Sequence, residues 1–224
     1  MNGGNNLEYD EIVELTMKFV KEKLTGEGSG HDWWHIHRVY NNSLQIAKNE
    51  GEGDLFVIKL ASLLHDIADW KFHDGDITAG YRETKKWLSN FSLEEQLIEH
   101  VATIVRDISY KGAGEASLME TIEGKIVQDA DRLDAIGAIG IARTFAYGGN
   151  KNKEMYNPNI KPVFHENFQQ YKESNGTVIN HFYEKLLLLK DLMNTESGRR
   201  YAEGRHDFMQ DFLQQFYLEW DGKA

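Results

Sequence analysis

A chain of 224 residues can form one domain or two small ones, and its 41% hydrophobic and 12% aromatic content is enough for a sizeable core. Its net charge of -11 argues against coating nucleic acid or an anionic membrane, so a phosphate substrate would need a local cation, with a metal ion the obvious candidate. The absence of cysteine excludes disulfides, thiolate metal sites and cysteine nucleophiles. The start, MNGGNNLEYDE, has neither a basic nor an apolar leader region, and the apolar runs are too short to span a bilayer, so a soluble cytoplasmic protein is expected.

Spacings of three and four between apolar residues predict a first helix from about Tyr9 to Leu24, ending at TGEGSG, and a second from about Trp34 to Asn49, ending at GEGD. Asp54 can cap a third. Its stripe of Ile58, Ala61, Leu64 and Ala68 carries the helix into the stretch LASLLHDIADW. Asp76 can cap a fourth, reaching about Leu88. Ser92 and Glu95 have capping-box spacing for a fifth, to about Ile108, and Ser117 and Glu120 repeat the signal for a sixth. The sixth continues through DADRLDAIGAIGIARTFAYGG as a long or broken helix. Residues 150–174 hold both prolines, Pro158 and Pro162, and read as a long loop. Its Lys153, Tyr156, Lys161 and Phe164 would suit a lid or ordinary packing. Two more helices are expected, about Thr177 to Met193 and about Ser197 to Trp220. No strand-like alternation or internal repeat stands out. The expectation is one all-α domain over residues 1–224, a helical bundle of roughly eight or more helices.

Four stretches combine acids and histidines. HDWWHIHRV holds His31, Asp32, His35, His37 and Arg38; His65-Asp66 lies in the apolar third helix; His100 lies in LIEHVATIV; and QDADRLDAIG holds Asp129, Asp131 and Asp134. Neighbours on a helix diverge by roughly 100°, so His65 and Asp66 can share a metal only over the flank between them, with other helices completing the shell. The alternative is a satisfied core histidine beside a surface aspartate. Burial of a charge is costly without a partner, and Leu63, Leu64, Ile67 and Ala68 mark this segment as buried, which moves the balance toward ligands. Nitrogen and carboxylate donors suit Mn, Fe, Co, Ni or Zn, and Mg less well. Asp131 and Asp134 share one helix face, as do His35 and Arg38. An acidic patch paired with Arg132 is the rival reading of the aspartates.

The order His35, His65-Asp66, Asp131 resembles the H…HD…D signature of the HD-domain metal-dependent phosphohydrolases. Local context extends the match: H-x-x-R-V at His35 to Val39, L-L-H-D-I at Leu63 to Ile67, and D-A-D-R-L-D-A-I-G at Asp129 to Gly137. The motif core spans about residues 30–145, and the helices over about 176–220 are expected to pack on it. Over nearly its full length the chain is similar to the small bacterial stand-alone members, including R-H-x-F-M…F-L-x-Q-F…E-W at Arg205 to Trp220, a segment that locates no active-site residue. The resemblance implies that His35, His65, Asp66 and Asp131 bind one divalent metal ion, manganese or another transition metal favoured, with waters completing the shell. His31, also followed by Asp, is the rival first ligand; the R-V after His35 favours His35.

Such a site implies hydrolysis of a phosphate ester or anhydride, and it needs a proton acceptor and cations for the departing oxygens. Asp69, one turn from His65-Asp66, is the candidate to hold the attacking water; its rival role is a helix-terminal surface acid. Arg38 would bind substrate phosphate or pair with an aspartate. Lys111 in SYKG would contact phosphate or stand in solvent, with Gly112 letting that loop come close to a ligand. Asp134 reads as a partner of the ligands rather than a ligand. His100 reads as a satisfied core histidine or a partner of the ligands; with only His73 and His100 in the interval, one metal is the expectation and a two-metal site the alternative. Trp33 and Trp34 read as core, with a nucleobase platform as the alternative.

The resemblance implies a small-molecule phosphate as partner, in all expectation a nucleotide. The reaction suggested is cleavage of nucleoside triphosphates to monophosphate and pyrophosphate. The rivals are a nucleoside monophosphatase, a cyclic-nucleotide phosphodiesterase, a di-iron oxygenase on the same fold, and a non-catalytic helical module. Retention of all four ligands argues against the last. Stable binding to nucleic acid or membrane is not expected, and the acidic surface sets no oligomeric state.

Overall fold

The computed structural model describes residues 4–24, 32–68, 76, 78–108, 119–163 and 176–224. Their regular structure is all helical, with no strand among them. No described helix is long and apolar enough to cross a membrane. Two compact units are resolved, with the division falling inside one helix, between Ala130 and Asp131.

The first unit holds α1 (Gly4–Lys23), α2 (Trp33–Glu50), α3 (Leu55–Leu64), α4 (Ala79–Leu88), α5 (Glu95–Asp107) and most of α6 (Ile122–Asp134). A helix that is apolar around most of its circumference must be buried around most of it. α3 is that helix: Phe56, Val57, Ile58 and Leu60 to Leu64 are all buried, and α1, α2 and α5 pack around it. Asp54 caps it as expected, its Oδ1 accepting from the amides of Phe56 at 2.8 Å and Val57 at 3.4 Å. The Asp54 amide in turn donates to Glu123 Oε1 at 2.9 Å, tying the start of α3 to α6. α4 is held to α1 by Trp87, which stacks on Phe19 at 3.9 Å and donates its indole N–H to Thr16 Oγ1 at 2.9 Å. Gly51, at φ 71, closes α2 by donating to the Ala47 carbonyl.

Two expectations about ends change. α3 stops at Leu64, and His65 to Ala68 form a turn rather than more helix. The Ser92–Glu95 capping box does not form: α5 starts at Glu95, and that carboxylate accepts from Lys85 Nζ at 2.8 Å instead. Ser117 lies outside the described residues.

The second unit contains the end of α6, α7 (Gly137–Asn150), α8 (Val178–Glu184), a 3₁₀ helix (Leu186–Leu192) and α9 (Glu196–Trp220). The helix expected from Thr177 to Met193 is therefore split, at Lys185, whose φ of -143° leaves the helical region. Likewise the long or broken helix after α6 is a broken one, turning at Gly137 with φ 74. The core of this unit is aromatic. Phe182 is fully buried, with ring centroids 5.8 Å from Phe212 and 6.2 Å from Phe145. Residues 151–163 form no helix and are strapped down by backbone: the Val178 and Ile179 amides donate to the Glu154 and Met155 carbonyls, each at 3.0 Å. Tyr156 packs edge-on against Phe216 and Trp220, so this described part of the loop is packed against α9. Phe164, and the rest of the expected loop to residue 174, lies outside the described residues.

α8 also carries a buried titratable group. Burial, reinforced by the charges of Lys185 and Lys153, pushes His181 down to about 3. The folded protein therefore binds fewer protons here than the unfolded chain, whose histidine titrates near about 6.5. The contribution to stability is complete above that value and is lost as pH falls from it toward about 3, by at most about 1.4 kcal/mol per pH unit. The figure is an upper bound because part of the residue still meets solvent. Urea melts at pH 6.5 and 5.0 should show a clear loss for the wild type and a smaller one for His181→Gln; equal losses would refute the assignment.

Candidate metal centre

α2 begins at Trp33 because Asp32 precedes it. The Asp32 carboxylate accepts from the His35 amide at 3.0 Å, satisfying one of the free donors of the first turn. The aspartate of HDWWH thus caps the helix, and the cap places His35 on its first turn, where the side chain is fully buried. His65 follows the last residue of α3. Its Nδ1 lies 2.8 Å from the Ser62 carbonyl oxygen, which can only accept, so Nδ1 carries the proton and Nε2 offers a lone pair. A ring held in this way by a backbone carbonyl has the tautomer and orientation of a metal ligand. The contact sits at the point where α3 ends, with His65 as the residue after Leu64.

Among the described residues, His35, His65 and Asp66 offer ligand atoms that all lie within 4.8 Å of one another. His35 Nε2 is 3.2 Å from His65 Nε2 and 3.3 Å from Asp66 Oδ2, and His65 Nε2 is 3.6 Å from the same oxygen. Neighbouring donors around an ion bound at about 2.1 Å stand roughly 3.0 to 3.4 Å apart, so the three atoms fit one face of a divalent metal's shell. Two imidazoles and one carboxylate also match the donor chemistry of a transition metal. Both rings are almost wholly buried, whereas Asp66 keeps 18% of its side-chain surface open, so the group has an approach from solvent.

The other sequence candidates are placed as follows. Asp131 stands on α6, half-buried, in the second unit. Arg38 is on α2, three residues beyond His35 and half-buried. Asp69, Lys111, His31 and His73 lie outside the described residues. Asp134 is buried, and its Oδ2 accepts from Arg143 Nη1 at 2.6 Å. Arg132 Nη1 donates to the Leu192 carbonyl. His100 is only half-buried, with Nε2 3.3 Å from Thr121 Oγ1 and 3.7 Å from Glu123 Oε2. The tryptophan pair divides: Trp33 is core, and Trp34 is 60% exposed with its ring 5.8 Å from His37. Sequence reading overlooked the Ser62 carbonyl and Arg143. Backbone acceptors leave no signature in a sequence, and Arg143 sits among apolar residues with no motif around it.

Comparison with known proteins identifies the family. A model of the HD domain matches residues 33–136. The Bacillus subtilis protein YpgQ is 38% identical over 211 residues, covering 94% of each chain. A solved HD-superfamily hydrolase from Bacillus thuringiensis is 45% identical, covers 95% of this chain and 98% of its own, and superposes with a TM-score of 0.74. The structure of Bacillus subtilis YpgQ in complex with ADP gives a TM-score of 0.73 at 34% identity, covering 95% of this chain and all of that one. The chain belongs to the HD-domain family of metal-dependent phosphohydrolases. Its fold is the all-α one that the motifs imply.

Proposed function

We propose that this enzyme is a nucleotide phosphohydrolase in which His35, His65, Asp66 and Asp131 hold one divalent transition-metal ion, manganese favoured. The observation that carries the proposal is the triangle of His35 Nε2, His65 Nε2 and Asp66 Oδ2. Asp131 joins it on the strength of its D-A-D-R-L-D context. The nucleotide is supported by the ADP bound in the structure of YpgQ. The preferred reaction is cleavage of a nucleoside triphosphate to monophosphate and pyrophosphate, and the proposed setting is the cytoplasm.

A divalent ion so held polarises a phosphoryl oxygen and makes water far more acidic than it is in bulk. The protein's own groups do the rest. The Ser62 carbonyl keeps the His65 Nε2 lone pair aimed into the site. The Asp66 carboxylate faces both rings and supplies negative charge that favours a cation there. Arg38, one turn along α2 from His35, takes phosphate oxygens and offsets the repulsion of a chain with net charge -11. Asp69 accepts the proton of the attacking water, and Lys111 meets the departing phosphate; both roles rest on sequence context.

Product analysis by chromatography tests this reading. Metal-stripped protein resupplied with Mn²⁺, Co²⁺, Ni²⁺, Zn²⁺ or Mg²⁺ is given nucleoside mono-, tri- and cyclic phosphates. Pyrophosphate release from triphosphates is the expected result. Phosphate release from monophosphates would select a nucleotidase, and no turnover with any metal would remove the nucleotide assignment.

A further inference from the structure

The C-terminal end of α6 is met by arginines that the proposed chemistry does not use. The last turn of any helix leaves carbonyls without amide partners, and cations are favoured there. Here Arg205 Nη1 of α9 donates to the Leu133 carbonyl from 72 positions away in sequence. Arg143 Nη1 of α7 lies 3.3 Å from the Asp134 carbonyl oxygen and 2.6 Å from Asp134 Oδ2. Burial draws the pKa of Arg205 down while the charge of Asp134 draws it up, so this cation sits partly desolvated beside that carboxylate. The turn into α7 is fitted to the same side chain. Gly137 has φ 74, and a Cβ there would stand 3.0 Å from both Cβ and Cγ of Arg205. The backbone conformation and the Arg205 stem thus both require glycine at this turn.

Asp131 lies two residues before Leu133 on this pinned turn, and Asp134 lies one turn beyond Asp131 on the same face. We infer that Arg205 is a positioning residue for the metal site. By holding the Leu133 carbonyl, with Arg143 holding Asp134, it fixes the helix end that presents the Asp131 carboxylate. The C-terminal R-H-x-F-M segment thereby gains a role in metal binding. The inference rests on the reading of Asp131 as the fourth ligand.

The test is a calorimetric Mn²⁺ titration of metal-stripped wild type, Arg205→Gln, Arg205→Lys, Asp131→Asn and Leu213→Ala, with melting temperatures measured alongside. Leu213 is a buried residue of α9 two turns beyond Arg205, so its truncation lowers stability without touching the Leu133 carbonyl. Loss of a partner that orients a ligand weakens metal binding by roughly 10–100-fold, and that is the shift expected for Arg205→Gln. Arg205→Lys should recover part of it, because an ammonium can still donate to a carbonyl. Leu213→Ala should keep wild-type affinity. Wild-type affinity in Arg205→Gln, while Asp131→Asn is weakened, overturns this inference alone. Wild-type affinity in Asp131→Asn overturns the ligand assignment and this inference with it. Equal weakening in Leu213→Ala and Arg205→Gln at equal melting temperatures makes the effect one of stability and also overturns it. Should Arg205→Gln not fold, Arg205→Met, which keeps the apolar stem but has no donor for the Leu133 carbonyl, decides, and a shift of less than about twofold is the overturning result.

Discussion

Asp66→Ala is expected to abolish metal binding and hydrolysis while the helices around it stay folded. The Asp66 carboxylate stands 3.3 Å and 3.6 Å from the two imidazole nitrogens and brings the only negative charge of that triangle. Its removal leaves that triangle with two neutral imidazoles and takes away one of the two carboxylates proposed to offset the ion's charge. The loss of affinity should exceed the roughly 10–100-fold that follows when only an orienting partner of a ligand is removed. Stability should change little without metal, since Asp66 sits in a turn after α3 and is partly open to solvent, so its truncation leaves no core cavity. Metal linkage sharpens the comparison. Mn²⁺ at a hundredfold excess over its Kd should stabilise the wild type by about 2.7 kcal/mol and leave the variant unmoved. Wild-type turnover in Asp66→Ala, or an equal rise in melting temperature with Mn²⁺, would sink the site assignment.

The part of this site that was legible in the sequence is the part encoded by neighbours in the chain. His65-Asp66 stood out because polar groups interrupt an apolar run, and α3 is indeed buried along most of its length. His35 was marked by the R-V that follows it. Asp54 was recognisable as a cap because an N-cap bond spans only two or three residues. What could not be read depends on competition or on distance. The apolar stripe through Ala68 predicted more helix, but α3 ends at Leu64 and the His65 ring turns back to the Ser62 carbonyl, a contact no apolar periodicity encodes. Ser92 and Glu95 had capping-box spacing, but Lys85, from another helix, claims the Glu95 carboxylate. The bond from Arg205 to the Leu133 carbonyl joins residues 72 apart, and nothing local to either one announces it. Asp32 shows the reverse case: it was noted as an acid near the ligands, whereas its visible role is to start the helix that carries His35.

Phe182→Ala is expected to be the most damaging single truncation in the second unit, costing about 3 to 5 kcal/mol. Phe182 is fully buried at the middle of α8, stacked on Phe212 of α9 at an interplanar angle of 23° and tilted against Phe145 of α7. Truncation removes transfer energy, leaves a void between three helices, and loses aromatic contacts, each worth about 0.5 to 1.5 kcal/mol beyond area. α8 is short, so its neighbours cannot close the gap without shifting the 3₁₀ helix that follows it at Leu186. Phe182→Leu keeps most of the volume and should cost much less. Phe208, on α9 but 52% exposed, provides the contrast: its truncation should change stability by no more than about 0.5 kcal/mol. Urea unfolding of the three variants decides the matter. A loss under about 1 kcal/mol for Phe182→Ala, or one matched by Phe208→Ala, would show that α8 does not present Phe182 to this core. The large loss would instead establish the packing that holds α7 and α9, and hence Arg143 and Arg205, about the end of α6.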